Sequence, residues 1–415
     1  MGFSQALSGM NAASQQLDTI GNNIANSQTS GFKSSSVQFA DVYASSKVGL
    51  GTSVAGILQD FGNGTLETTD RDLDLGISGD GFFRFQSGDT VGYSRNGQLT
   101  MTTDGYLANA QGAYLTGYNV QNFNSSTTAA TVATGGQPEV IQIPSGSISA
   151  RATTSASASI DLDASDDAIT ADFDADDADT YNYATSTTVY DSLGVAHNLQ
   201  MYFTKTDDNT WTVNTSLDGT TDPTTTTPST TLLFDENGRL QGVDDGTGTG
   251  TTDGSALSFT FPGTDGAAEL SFDFDFDGST QTEQSYAISS PNQDGYASGQ
   301  LVGISIDSDG TINGSYSNDQ TVALGRVALA DFANTEGLQP IGDNLWQATT
   351  ASGQAVIGTA GNGSFGSLQS GTLEASNVDL SQELVNLIIA QRNFQANSNT
   401  IKTQDEVLQT VVNLR

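Results

Sequence analysis

The 415 residues include no cysteine. Disulfides and thiolate sites are therefore excluded, and stability must come from packing or assembly; the same absence fits either redox compartment. Histidine occurs once, at His197. That removes multi-histidine metal sites and makes any Ser-His-Asp triad depend on one residue. It stands in Val195-Ala196-His197-Asn198 between strand candidates, so a hairpin position is the default. Basic residues are also scarce, 12 against 48 acidic, for a formal net charge of -36. Nucleic acid needs a basic surface, as does an anionic membrane, so neither is an expected partner. No apolar run is long enough to span a bilayer, so membrane insertion is not expected. Nothing resembles a cleavable secretory signal: no basic residue precedes Lys33, and Met1 to Ile24 has no continuous apolar core.

What is present divides the chain into ends and middle. Phe3, Ala6, Met10, Ala13, Leu17, Ile20 and Ile24 fall at alternating steps of three and four. The same stepping runs Leu380, Leu384, Leu387, Gln391, Phe394, Ser398, Ile401, Asp405, Leu408, Val412, with three polar interruptions. Each terminus offers an apolar seam that a lone helix cannot bury. The seams can close on each other within one subunit or between subunits, and spacing leaves both open. A helix is expected over 3–26, weakened by Gly21, Asn22 and Asn23 and stopped by the loop Asn26 to Gly31. A second is expected to open at Ser376-Asn377-Val378-Asp379, which has the form of a capping box, and to run to Asn413.

Between the ends the pattern is β. Strands are expected at Gly51–Ile57, Phe82–Phe85, Gly299–Ile306, Thr311–Tyr316, Arg326–Ala330, Leu345–Trp346 and Ala355–Ile357. Asn96-Gly97, Asp104-Gly105, Asp309-Gly310 and Asn313-Gly314 are turn signals. Residues 122–136 look like loop. From about Ile143 the composition shifts to Asp, Thr and Ala, marking an inserted domain. Its strand candidates are Ser186–Tyr190, Leu199–Phe203, Thr210–Thr215, Leu257–Phe261 and Leu270–Phe276, with loops at Gly219–Thr230 and Gly242–Gly254. Residues 145–296 hold 26 of the 48 acidic side chains against Arg151, Lys205 and Arg239, while the first 25 residues carry only Asp18. Like charges repel, so the middle should face solvent in an assembly and the near-neutral ends should pack inside.

The expected fold is mixed and mainly β, with nested β domains and terminal helices pairing in a coiled-coil-like inner region. Its parts are 1–30 with 376–415 as inner helices, 31–72 connecting, 73–144 with 297–370 as one β domain, 145–296 as the acidic insertion, and 371–415 as the carboxyl-terminal segment. Both termini would lie at one end.

Chemical sites are weakly signalled, and no catalytic residue, cofactor or metal is expected. Asp273, Asp275, Asp277 and Gly278 imitate the start of a calcium loop, but Gln284 stands where Glu is needed and Glu283 comes one place early. Alternation with Leu270, Phe272, Phe274 and Phe276 favours a half-buried strand with an acidic outer face. Asp172, Asp174, Asp176, Asp177 and Asp179 fit a solvated loop. Gly246 to Gly250 lacks the following lysine of a phosphate loop. Trp211 and Trp346 are expected in core or interface.

Two terminal segments carry a resemblance. Gly21, Asn22, Asn23, Ile24, Ala25 and Asn26, followed by Gly31, Phe32 and Lys33 within GNNIANSQTSGFK, resemble the amino-terminal signature of bacterial flagellar rod and hook proteins. Gly371 to Arg415 resembles their carboxyl-terminal segment, and Gly79–Phe85 with Tyr93–Tyr118 resembles their shared β domain. Phe39-Ala40-Asp41, Lys47-Val48-Gly49-Leu50-Gly51 and the insertion's length favour the hook branch over the rod. The resemblance implies a structural, non-enzymatic subunit that forms a helical homopolymer with copies of itself. That polymer would be a curved tube acting as a universal joint. It also implies export through the flagellar type III apparatus, and the hook cap protein, distal rod protein and hook-filament junction protein as partners. A distal rod or other axial protein is the alternative within the class. A secreted β-rich enzyme or adhesin acting on polysaccharide is the alternative outside it, needing a carboxylate pair in a cleft.

Overall fold

The computed structural model describes residues 2–42, 51–123, 125, 130–219, 230–244 and 254–413. Residues 47–50 of the hook-favouring segment, most of the loop expected at 219–230, the glycines 246–250 and the side chain of Val412 lie outside the described residues.

Two helices and many short strands make up the chain. Helix α1 spans Gly2–Ala25, and α2 spans Leu380–Asn413. A hairpin of β1 (Ser35–Asp41) and β2 (Thr52–Gln59) follows α1, the two strands pairing antiparallel. The larger β body is a 13-stranded sheet assembled from residues on both sides of the insertion. Strand 321–331 stands near its centre, pairing with 311–316, 114–121, 82–87 and 356–359. Leu75, Phe83, Phe85, Leu115, Ile141, Ile312, Val327 and Leu329 fill its main core. A second cluster places Phe82, Tyr93, Phe332 and Trp346 edge to face.

The acidic insertion folds as two five-stranded sheets. One is a meander of 183–190, 196–207, 210–217, 230–234 and 240–244. The other is built around 155–163, which pairs with 270–275, 280–282 and 287–293. Their inner faces share one core that includes Ile160, Met201, Phe203, Trp211, Phe259, Phe272 and Phe274. The alternation in 270–276 explains this: Leu270, Phe272 and Phe274 are buried while Ser271 and Asp273 are exposed. Both tryptophans are core residues. The two β regions are joined by a neck of two antiparallel segments, in which Arg151 and Tyr296 exchange backbone hydrogen bonds of 3.0 and 2.9 Å.

Several details differ from expectation. Helix α2 opens at Leu380, not at Ser376. Asp379 is the cap, its Oδ1 accepting the N–H groups of Ser381 and Gln382 at 2.9 and 3.1 Å. Asn377 is drawn instead to the β body, accepting from the Ser34 N–H and donating to Asp60 O, both at 2.8 Å. The helix is therefore about 51 Å long over its 34 residues. Asn96-Gly97 makes no hairpin turn; Gly88-Asp89 makes it, between Ser87 and Thr90. Gly97 is there because a Cβ would lie 2.0 Å from Leu75 O. Asn313-Gly314 sits inside strand 311–316, where a Cβ at 314 would lie 2.6 Å from Leu324 Cδ1, so glycine there serves packing and not a turn. Residues 242–244 belong to strand 240–244 rather than to a loop. Within the segment 122–136, Thr131-Val132 pairs with Val120-Gln121.

Candidate assembly surface

The two helices pack against each other antiparallel. A Cβ on Gly9 would touch the Asn397 side chain at 2.8 Å, and Asn23 Nδ2 donates to Glu383 Oε1 at 3.2 Å. These contacts lie fourteen residues apart on each helix, in opposite directions, so both chain ends lie at the same end of the pair.

The packing sorts the apolar residues picked out by spacing. On α1, Ala6, Ala13 and Ile20 are buried together with Ala12, and Met10, Leu17 and Ile24 are half-buried, while Phe3 is exposed. On α2, Leu387, Phe394 and Ile401 are half-buried and Ala390 is fully buried. Leu380 and Leu384 are exposed. Leu408 continues the heptad step of Leu387, Phe394 and Ile401 but is 53% exposed, because α1 has ended by that level. Spacing missed a second apolar face. Val385, Ile388 and Ile389, each 50% exposed, lie with Leu384 on the side of α2 turned away from α1.

The signature residues following α1 have structural tasks. Asn22 Oδ1 accepts from Asn26 Nδ2 at 2.6 Å, holding the helix end. Asn23 is buried and clamps the start of β1: its Oδ1 accepts from the Ser35 N–H at 2.9 Å, and its Nδ2 donates to Ser35 O at 2.8 Å. Gly31 has φ +71°, and a Cβ there would lie 2.6 Å from Asn96 N. Phe32 is half-buried, whereas Gly21 and Ala25 are exposed.

Lys33 is fully buried. Its Nζ donates to Glu374 Oε1 and to Gly62 O, both at 2.7 Å. The other carboxylate oxygen of Glu374 accepts from Arg95 Nε at 2.7 Å. Arg95 also donates to Gly79 O, Gly81 O and Asn63 Oδ1 at 2.9, 2.6 and 2.7 Å. The Gly64 N–H completes the set at Glu374 Oε1. Burial alone would raise the Glu374 pKa, but Arg95 and Lys33 hold it below the usual range. Burial lowers the Lys33 ammonium despite the facing carboxylate. This junction ties the segment after α1, the β body and the segment before α2 into one unit. Arg95 and Glu374 were not singled out from sequence. The available signal was Lys33 itself, the first basic residue in a charge-poor stretch.

The remaining candidates are accounted for locally. Asp273 accepts from Ser258 on the adjoining strand 256–261, and Asp275 from Ser255 just before it. Asp174 and Asp177 organise the turn of residues 174–180. Among the described residues, no cluster of His, Cys, Asp and Glu is placed to hold a metal ion.

A mainly β body with terminal helices paired at one end is the architecture that the resemblance to flagellar rod and hook proteins implies. Matches to known families run along the chain. Residues 4–33 match "Flagella basal body rod protein", 76–163 "Flagellar hook protein FlgE/F/G D1 domain", 161–296 "Flagellar basal body protein FlaE D2 domain", and 369–414 "Flagellar basal body rod FlgEFG protein C-terminal". The flagellar hook protein FlgE of Salmonella typhimurium is 49% identical over 421 residues, covering 100% of both chains. That of Escherichia coli is 49% identical over 420 residues, again with 100% of both covered. That of Rhizobium meliloti is 32% identical, over 99% of this chain and 97% of its own. A crystal structure of Helicobacter pylori flagellar hook protein FlgE2 shares the fold, with a TM-score of 0.53 at 15% identity, over 74% of this chain and 100% of that one. The chain belongs to the flagellar hook protein FlgE family. It is a structural subunit of the flagellar hook.

Proposed function

We propose that copies of this chain polymerise into a curved tube that works as a universal joint, passing torque from rod to filament without catalysis. The observation that carries this reading is the uncovered apolar face of α2, with Leu408 continuing the seam past the end of α1. Both need a neighbouring helix to be buried, and a second copy supplies one of matching period. The assembly seam comprises the half-buried and exposed positions of both helices, with the acidic insertion turned to solvent, where like charges repel least. Sliding between the polar outer domains would permit bending while the helices stay connected. Export through the type III apparatus, growth under a cap protein, and junctions with the distal rod and hook-filament proteins complete the reading.

The helix pair buries few large side chains within one subunit. Isolated helices are marginal in water, so ordering should be completed by assembly. Hydrogen exchange on the monomer and on the polymer tests this. Fast exchange in residues 2–25 and 380–413 that becomes protected on polymerisation is expected. Full protection in the monomer, unchanged afterwards, would show that the seams close within one subunit.

A further inference from the structure

His197 lies on strand 196–207, next to the turn of residues 191–195. Its Nδ1 is 2.7 Å from Asp218 Oδ2, and its Nε2 is 3.3 Å from Asp191 Oδ2. A neutral imidazole donates from one nitrogen only, so two facing carboxylates call for the imidazolium. Each carboxylate has a second task. Asp191 Oδ1 accepts the N–H groups of Leu193 and Val195, both at 2.8 Å, and Asp218 Oδ1 accepts that of Asn198 at 2.8 Å. The ring therefore ties the 191–195 turn to the end of strand 210–217.

That turn rests on the neck. A Cβ at Gly194 would lie 2.6 Å from Ala150 Cβ and 3.1 Å from Ala297 Cα. Beside it, Thr153 and Tyr190 exchange two hydrogen bonds of 2.9 Å.

We propose that His197, clasped by Asp191 and Asp218, is a pH-sensitive brace that holds the inserted domain against the neck. The charged ring closes the clasp; loss of its proton opens one side and frees the turn from Ala150 and Ala297. Among the described residues, Asp191 and Asp218 are the titratable groups facing the ring, from the turn and from the strand end. Burial lowers the imidazole pKa, but the two carboxylates outweigh it and the net displacement is upward. The clasp is thus complete below the ordinary imidazole range, as long as both carboxylates stay ionised, and is lost as pH rises through the raised value.

The absence of native cysteine makes the test direct. Spin labels on Asp89→Cys in the β body and Asp208→Cys in the insertion, both exposed positions, report the spread of distances across the neck in the full-length monomer. The distribution should broaden as pH rises from about 6 to about 9. It should stay broad throughout in His197→Gln and narrow throughout in His197→Arg. An unchanged width in the parent chain, or a His197→Gln chain that follows pH as the parent does, would overturn the proposal. The ring resonance of the single histidine gives a measurement needing no variant. Titration above the ordinary imidazole range supports the clasp, and titration at or below it refutes it.

Discussion

Lys33 and Glu374, 341 positions apart in sequence, meet at 2.7 Å with neither side chain exposed. Each belongs to a segment bordering a terminal helix, and Arg95 of the β body closes the other side of the carboxylate. Helix pair and β body are therefore locked by a buried, hydrogen-bonded charge group.

Glu374→Gln leaves two buried cations facing an amide. Removing one partner of such a group costs about 3–5 kcal/mol. Chemical denaturation of the full chain should show a loss of that size. A loss under about 1 kcal/mol would mean that the site rehydrates on losing its charge.

The same carboxylate sets an acid limit. Its pKa is lowered in the folded chain, so the stability it contributes is present above the ordinary glutamate range and is lost as pH falls through the lowered value. Denaturation midpoints measured from neutral to acidic pH should decline for the parent chain. Glu374→Gln should decline less steeply.

Val385→Asp with Ile389→Asp places charge on the uncovered face of α2 while leaving Ala390 and Leu387 untouched. Polymerisation followed by sedimentation should fail. Thermal unfolding of the β regions should move by no more than about 0.5 kcal/mol, as for surface substitutions. Tubes formed by this variant would remove α2's outer face from the assembly surface.

The two cores should respond separately. Phe203 is buried in the insertion and Phe83 in the β body, in clusters that share no member. Truncating either to Ala costs about 3–5 kcal/mol. Calorimetry should show Phe203→Ala lowering one transition and Phe83→Ala the other. A single transition moved by both would mean the neck makes one cooperative unit.

Much of this was legible in sequence, where a period was present. Alternation in 270–276 and the three-four steps of the termini placed strands and helices, because burial on one face leaves a periodic trace. The same method picked one stripe on α2 and passed over Val385, Ile388 and Ile389, which fall between its steps. The ionic junction left no trace of that kind. Its members are singular charges brought together by tertiary folding, and each alone resembles a surface residue. The hairpin β1–β2 was only partly visible because Val37 is the one apolar residue from Ser35 to Gln38, too few to show a period.

The neck has a mechanical consequence. The chain enters the insertion past Arg151 and leaves past Tyr296, and these residues are bonded to each other. A pull on the insertion therefore loads both segments in the same direction, and the hydrogen bonds between them carry no shear. The two segments share an axial load, and two-stranded ribbons twist more than broad sheets do. In the proposed polymer the insertion would turn about this tether, within the limit set by the contact of Gly194 with Ala150 and Ala297, without lengthening it.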